Sequence, residues 1–444
     1  MGEISKTDPE IYKLIKKELE RQQHGLEMIP SENNVSKPVL QAMGSILTNK
    51  YSEGYPFKRY YGGQEFIDQI ETIAIERAKK AFKVPHANVQ PYSGSPANFA
   101  VYMAVCKPGD TVMGLNLSDG GHLTHGFKAS QTGQIFNSVP YHVKEDGYID
   151  LEELDKLATK HKPKLMWVGY TAYSREFPFE DISKIADKVG AYLAADIAHI
   201  SGLVISGVHK SPAPFAHIIT TTTHKTMRGP RGGMIMVTQK GLDKDPDLAK
   251  KIDKSVFPGL QGGPHDHTTA GIATALKEAM HPSFKEYSEQ IVRNSRALAK
   301  SLMENDLKVV TGGSDNHMLL VEVGKGKGFF AQHALDLANI TLNKNTVPAD
   351  PSSPFYPSGI RMGTPSLTTR GIKEKEMKLI GQWIAKVISE IENFDMPEDK
   401  EKRKKAINEF KEEISKNQEI KKIQKEVIEL AKKFPLYPDF DILK

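Results

Sequence analysis

Thr220-Thr221-Thr222-Thr223-His224-Lys225-Thr226-Met227-Arg228-Gly229-Pro230-Arg231-Gly232-Gly233 is the stretch from which the fold is read. Its β-branched residues suit a pleated, buried strand, and the Gly/Pro turn that follows cannot continue it. Lys225 is thereby set at the mouth of a sheet. A neutral amine there would be accessible for Schiff-base chemistry, and cations such as Arg231 would help lower its pKa. Taken alone, Lys225 reads as an ordinary loop lysine; the segments around it change that reading.

Working outward, apolar runs at 88–90, 111–115, 165–170, 191–195, 218–222 and 234–237 alternate with helical periods at 64–82, 151–160 and 181–189. That rhythm predicts an α/β domain with a mainly parallel sheet, whose ligands gather at the carboxyl ends of the strands. Residues 282–305 read as a long amphipathic helix leading into strands at 309–310 and 318–323, so a second, α+β domain is expected after about residue 280. Asp8-Pro9 followed by an amphipathic run to His24-Gly25 carries the cap, first-turn proline and terminating glycine of a helix. The expected division is an N-terminal arm over 1–34, a large α/β domain over 35–280, and a small C-terminal α+β domain over 281–444 ending in a charged helical tail. In that tail Ile407, Phe410, Ile414, Ile420, Ile423, Val427 and Leu430 form a helical stripe.

Several short motifs carry chemistry. The run 191–195 ends at Asp196, where a carboxylate can keep a pyridine nitrogen protonated; a helix-capping role is the alternative. His199 follows three residues later. Ser93-Gly94-Ser95-Pro96-Ala97-Asn98 opens a helix, and its free N–H groups with two hydroxyls make a phosphate cradle, although no Walker motif occurs. His122 and His125 stand three apart without a carboxylate or third histidine at helical spacing, so no metal site is expected; His265 and His267 are read with the same caution. An imidazole stacked on a cofactor ring is the better use of His122. Arg361 stands alone in a small or apolar stretch, which suits bidentate capture of a carboxylate; a structural ion pair is the alternative.

Composition narrows the classes. The chain has 444 residues, 39% hydrophobic and 26% charged, with a net charge of +5. These are globular proportions, neither disordered nor membrane-spanning. Residues 1–11 lack the succession of a signal peptide and no apolar run would cross a bilayer, so a cytoplasmic location is expected. Cys106 is the single cysteine, which excludes an internal disulfide and a cysteine metal cluster. Lysines interleaved with glutamates in the tail read as a solvated helical face; RNA binding through them is the rival from another class.

Together the motifs resemble serine hydroxymethyltransferase from about Tyr12 to Ile391. The matching strings are Ser31-Glu32-Asn33, Asn49-Lys50-Tyr51-Ser52-Glu53-Gly54-Tyr55-Pro56, Arg59-Tyr60-Tyr61-Gly62-Gly63, Ser93-Gly94-Ser95, the four threonines with His224-Lys225, Gly229-Pro230-Arg231-Gly232-Gly233, Gln261-Gly262-Gly263-Pro264 and Asn343-Lys344-Asn345. Pro30, Pro96 and Arg228 depart from the family's pattern without removing a reacting group. The tail after about Asp395 matches poorly.

The resemblance implies the aspartate-aminotransferase-like pyridoxal-phosphate (PLP) fold, fold type I, and reversible conversion of L-serine and tetrahydrofolate to glycine and methylenetetrahydrofolate. It implies Lys225 as the cofactor lysine, Asp196 at the pyridine nitrogen, His122 stacked on the ring, Thr171 near the phenolic oxygen, and Ser93, Gly94, Ser95 and Thr222 around the cofactor. Tyr51 and Gly263 would come from a second subunit, so a homodimer, possibly paired into a tetramer, is implied. Ser31, Tyr61, Arg361 and His199 would bind substrate, Glu53 would handle protons, and His224 would help set reaction specificity. Glu53, Leu117, Gly121, Leu123, Asn343, Ser353, Pro354 and Phe355 match folate contacts. A threonine-aldolase-like activity, or use of a modified pterin such as tetrahydromethanopterin, would share the same cofactor residues. Neither nucleic acid nor membrane is an expected partner.

Overall fold

The Asp8 carboxylate accepts the Ile11 N–H at 3.0 Å, and helix α1 (Pro9–His24) follows with Pro9 in its first turn and Gly25 at its end. The computed structural model describes residues 3–438. Residues 1–2 and 439–444, which the expected arm and small domain would include, lie outside the described residues. Two compact units are formed: one from the residues up to Glu32 and from Gln290 onward, the other from Asn33–Glu289.

In the unit Asn33–Glu289, α2 (Glu65–Phe82), β1 (His86–Asn88), α3 (Gly94–Val105), β2 (Thr111–Leu115) and β3 (Asn137–Tyr141) are followed by α4 (Leu151–His161), β4 (Leu165–Gly169), α5 (Phe179–Lys188) and β5 (Tyr192–Asp196). Then come β6 (Ile218–Thr222), β7 (Gly233–Val237) and α6 (Asp266–Ala279). The strand order is β1-β7-β6-β5-β4-β2-β3. Strand β7 runs antiparallel to β1 and β6, and the remaining pairs are parallel. This is the mainly parallel α/β sheet expected. Every residue of β4, β6 and β7 is buried, as strands covered on both faces should be. On one face α3 sets Ala97, Val101 and Tyr102 against Trp167, Ala194, Ile218 and Ile235. Burying each of the larger of these side chains contributes roughly 2–3 kcal/mol, which fixes α3 against the sheet.

In this unit two strands differ from expectation by more than a residue. β1 lies at 86–88 rather than 88–90, because the Gln90 backbone is bonded outside the ladder: its N–H donates to Asn88 Oδ1 at 3.0 Å and its carbonyl accepts Gln261 Nε2 at 2.9 Å. β3 was not expected from its polar sequence Asn-Ser-Val-Pro-Tyr; it is an edge strand, where Pro140 and half-exposed residues are tolerated.

The other unit contains α1 and, after α7 (Pro282–Glu304), β8 (Lys308–Val309), β9 (Met318–Glu322), α8 (Gly328–Leu337), β10 (Asn343–Asn345) and β11 (Gly359–Gly363). The four strands form an antiparallel sheet in the order β8-β9-β11-β10. Helices α9 (Glu374–Ser389), α10 (Lys400–Ile414) and α11 (Gln418–Lys433) complete it. Phe410, Ile414, Ile420, Ile423, Val427 and Leu430 of the tail are buried in one core with Phe330 and Trp383. The stripe is two helices, not one: Asn417 caps α11 by accepting the Ile420 N–H at 3.0 Å. Among the described residues no helix is long and apolar enough to cross a membrane.

Candidate functional site

Three strands of the parallel sheet deliver the candidate residues at their carboxyl ends. Strand β5 ends in Asp196, β6 ends in Thr222 three residues before Lys225, and β2 runs into the loop that carries His122. Lys225 is buried, and its Nζ donates to Thr222 Oγ1 at 2.8 Å. Its carbonyl accepts the Asn33 side-chain amide at 2.9 Å, which fixes the lysine turn from behind. His199 is buried beside it in the chain's fold, with its carbonyl accepting the Thr226 hydroxyl at 2.9 Å. Arg231, by contrast, is exposed.

Asp196 is the centre of a polar network. Its Oδ1 accepts the Ala198 N–H at 3.0 Å; its Oδ2 accepts from Asn98 Nδ2 at 2.8 Å and meets His125 Nε2 at 3.1 Å. Burial opposes ionisation here, but the hydrogen bond and charge of His125, with the Asn98 amide, outweigh it and hold the carboxyl well below the usual carboxylate range. Asn98 also donates to Thr124 Oγ1 at 2.8 Å, and its Oδ1 accepts the Thr220 hydroxyl at 2.6 Å. Thr124 Oγ1 in turn lies 2.7 Å from His122 Nδ1, which also accepts the Thr124 N–H at 3.2 Å. The acceptor at Nδ1 leaves the ring's own proton on Nε2. Burial first, then the charge of His125, pushes the His122 pKa down to about 4, so the imidazole is neutral at physiological pH.

The sequence points to no role for Asn98, Thr124 or Thr220 in this network, and His125 enters there only as a metal-ligand candidate that is set aside. The signal for Asn98 was its place in an otherwise apolar helical run, Ala97 to Val101, because a fully buried amide must find partners. His125 stacks on Trp167 at 5.1 Å and 8°. His122, His125 and Asp196 offer ligand atoms within 4.8 Å of one another, a cluster with metal-like composition that spacing alone did not reveal. In this structure those atoms are joined by hydrogen bonds to one another and to Asn98 and Thr124.

The opening of α3 approaches the same strand end. A Cβ on Gly94 would stand 2.7 Å from Thr222 Cγ2, so only glycine lets the helix start this close to β6. The Ser93 side chain makes no capping bond, which leaves the first-turn N–H groups, including that of Ser95, to an outside acceptor. Thr171 donates its hydroxyl to Gly121 O at 2.9 Å, and a Cβ on Gly121 would collide with Leu115 O. Leu117 is half-buried and Leu123 exposed on this loop. His224 is half-buried, its pKa pushed down to about 3 by burial and by the charges of Lys225 and Arg231.

Tyr51, Glu53 and Tyr61 form a second cluster with the Gly262-Gly263 turn. Tyr51 and Tyr61 donate to the two Glu53 oxygens at 3.3 and 3.4 Å, their rings meet edge-on at 5.5 Å, and Gly263 packs against the Tyr51 ring. The cluster is anchored from below: Arg59 pairs with Asp68 and Glu71 at 2.8 and 2.6 Å and donates to Ser52 O and Gly54 O. Tyr51 and Tyr61 are exposed.

In the other unit, Arg361 on β11 donates from Nε to Asn343 Oδ1 at 3.0 Å across the β10–β11 pair. Residues read separately for carboxylate and folate are thus joined. Burial lowers the Arg361 pKa to about 10, leaving it a cation at neutral pH. Ser31 follows Met28, whose carbonyl accepts the Gly363 N–H at 2.7 Å at the end of β11. Ser353, Pro354 and Phe355 are exposed, and Lys344 Nζ holds Phe355 O at 2.6 Å.

A family model described as Serine hydroxymethyltransferase matches residues 4–384. The chain belongs to the serine hydroxymethyltransferase family. A relative of that name from Acidothermus cellulolyticus is 55% identical over 398 residues, 89% of this chain and 92% of its own length. Another of the same name, from Orientia tsutsugamushi, is 51% identical over 432 residues, 96% of this chain and 99% of its own. The family consists of fold-type-I enzymes that depend on PLP and use tetrahydrofolate as co-substrate. The residues of the unit Asn33–Glu289 fit such a cofactor: a buried lysine amine, a carboxylate held ionised, a neutral imidazole, and an uncapped helix N-terminus pressed against the same strand end.

Proposed function

We propose that this chain interconverts L-serine and glycine, passing the hydroxymethyl carbon to tetrahydrofolate, with Lys225, Asp196 and His122 at the centre of the reaction. The observation that carries the reading is the ionised Asp196, gripped by Asn98, His125 and the Ala198 N–H beside the strand that delivers Lys225. PLP, when bound, supplies an aldehyde and an electron-accepting ring.

Each residue then has a task its surroundings support. Lys225 Nζ anchors the aldehyde and is the base and acid for protons at that end, with Thr222 steering it. Asp196 keeps a proton on the pyridine nitrogen, because its own affinity for protons is too low to take it. His122 presents an uncharged ring, with Thr171 near the phenolic oxygen. Ser93, Gly94 and Ser95 meet the phosphate through the first-turn N–H groups of α3. His199 supports cofactor and substrate. Arg361 binds the amino-acid carboxylate, with Ser31, and Asn343 fixes the guanidinium's orientation. Leu117, Gly121, Leu123, Asn343 and 353–355 face the pterin, and His224 tunes specificity without charge.

Tyr51, Glu53, Tyr61 and Gly263 serve the site of a second copy in a homodimer. The exposure of Tyr51 and Tyr61, with Ile46, Phe57, Tyr60 and Phe66 also exposed on the same stretch of chain, supports that reading. There Glu53 moves the proton of the serine hydroxyl. The enzyme works in the cytoplasm. A nucleic-acid role for the tail has no support: its apolar stripe is buried, and Lys405, Lys416, Lys422 and Lys432 pair with glutamates of their own helices or turns.

The test is complementation. Lys225→Ala and Glu53→Gln are each expected to be inactive in forming glycine from serine with tetrahydrofolate, and a mixed dimer of the two to regain activity through one intact site. A mixed dimer as inactive as its parents would defeat the shared site.

A further inference from the structure

The loop from Asn116 to Gly126 leaves β2 and carries His122 with Leu117, Gly121 and Leu123. It is two short 3-10 turns, Leu117–Asp119 and Leu123–His125, joined through Gly120-Gly121. Thr171 holds one side of it: its N–H donates to Gly120 O at 2.7 Å and its hydroxyl to Gly121 O at 2.9 Å. The other side is held by an ion pair for which the chemistry above has no use. Asp119 Oδ2 lies 2.6 Å from Nδ1 of His142, the residue next after edge strand β3. The Asp119 side chain is only 10% exposed and that of His142 40%, so solvent screens the pair incompletely.

His142 is a fixed post. Its N–H donates to Glu153 Oε2 on α4 at 3.0 Å, and its carbonyl accepts the Asp150 N–H at 3.1 Å. The Ser118 hydroxyl donates to the second Asp119 oxygen at 3.3 Å, and Asn116 Nδ2 approaches the imidazole at 3.4 Å. Asn116, Ser118 and Asp119, at the start and end of the first turn, therefore gather about one contact to the sheet edge.

We propose that the Asp119–His142 pair positions the pterin-facing loop, and that its hold depends on His142 carrying a proton. This rests on the pterin reading of Leu117, Gly121 and Leu123. The ionisable groups that face His142 are Asp119 on the loop and Glu153 on α4, and both favour the cation; the Asp119 hydrogen bond is the larger influence and raises the pKa against the effect of burial. A histidine whose folded pKa is raised contributes fully below about pH 6.5 and loses its contribution as pH rises through the folded value. The loop is tight at mildly acid pH and loosens toward alkaline pH.

The experiment uses the full-length holoenzyme with His142→Gln, Asp119→Asn and the double variant, followed by KM for tetrahydrofolate and by hydrogen–deuterium exchange of residues 116–126. At about pH 6.5 each variant should raise KM about fivefold, the worth of one partly screened ion pair, with kcat nearly unchanged. The double variant should add nothing to either single one. Wild-type KM should climb toward the variants' value as pH rises, while theirs stays level, and loop exchange at acid pH should be faster in the variants. Wild-type KM and wild-type exchange in both single variants would overturn the proposal. A wild-type enzyme unable to use tetrahydrofolate would instead sink the functional reading, and the exchange measurement would still decide whether the pair holds the loop.

Discussion

Replacing Asn98 by aspartate exchanges one NH2 group for oxygen with almost no change of shape. The amide's orientation in the protein is set by its partners, since the Asp196 carboxylate can only accept and must face Nδ2, while the Thr220 hydroxyl donates to Oδ1 at 2.6 Å. Asn98→Asp keeps the Thr220 bond and removes two donors, to Asp196 at 2.8 Å and to Thr124 at 2.8 Å. Losing a hydrogen bond to a charged group costs about 2 kcal/mol and a neutral one about 1 kcal/mol, so about 3 kcal/mol of stability should go. Two carboxylate oxygens are also brought face to face in a buried site, where they cannot both stay ionised and must share a proton. The folded variant then binds a proton that the unfolded chain does not hold at neutral pH. Its deficit relative to wild type should shrink as pH falls from about 8 to about 5.5. Urea melts at fixed protein concentration, run at both pH values with and without added PLP, read the deficit and its pH dependence, and a titration of cofactor absorbance reads the loss of affinity. A variant as stable as wild type at pH 8, or a deficit indifferent to pH, would refute the claim that Asn98 holds Asp196 ionised.

Arg370 donates to the carbonyls of Gln22, Gln23 and Gly25 at the end of α1 and of Ala431 and Phe434 at the end of α11. Arg370→Ala strands these acceptors and should cost roughly 3–5 kcal/mol, with earlier proteolytic release of the tail; Arg370→Lys should recover only part, because an ammonium cannot span the fork. His122 concerns pH. Its pKa, pushed down to about 4 by burial, lies below the ordinary value near 6.5, so folding stability is untouched above that value and declines as pH falls toward 4. Melting temperatures at pH 4.5 and 7 should therefore lie closer together in His122→Phe than in wild type, and an equal gap in both would contradict the assignment.

Strands β2 and β6 stand where their runs put them, and β5 and β7 within a residue, because strands buried on both faces advertise themselves as unbroken β-branched or apolar runs. That is why Lys225 and Asp196 were legible: each belongs to a position defined by the end of such a run. Edge strand β3 was hidden because half its residues face solvent and one is proline. The tail's stripe was legible as helical, but its burial against Phe330 and Trp383 was not, since those partners lie in other segments of the chain. Asn98 shows the limit most clearly. Its three partners are 26, 98 and 122 residues distant, and nothing in the local pattern announces them. Asp119 and His142 are likewise brought together only by the pairing of β2 with β3.

The most direct measurement is chemical. The protein is loaded with PLP, reduced with borohydride and digested, and the peptides are mapped by mass spectrometry. The account predicts one modified lysine, Lys225, in the peptide that follows the four threonines, and no such adduct in Lys225→Ala. An unmodified Lys225 peptide, or an adduct distributed over surface lysines, would contradict the placement of the reaction at the end of strand β6.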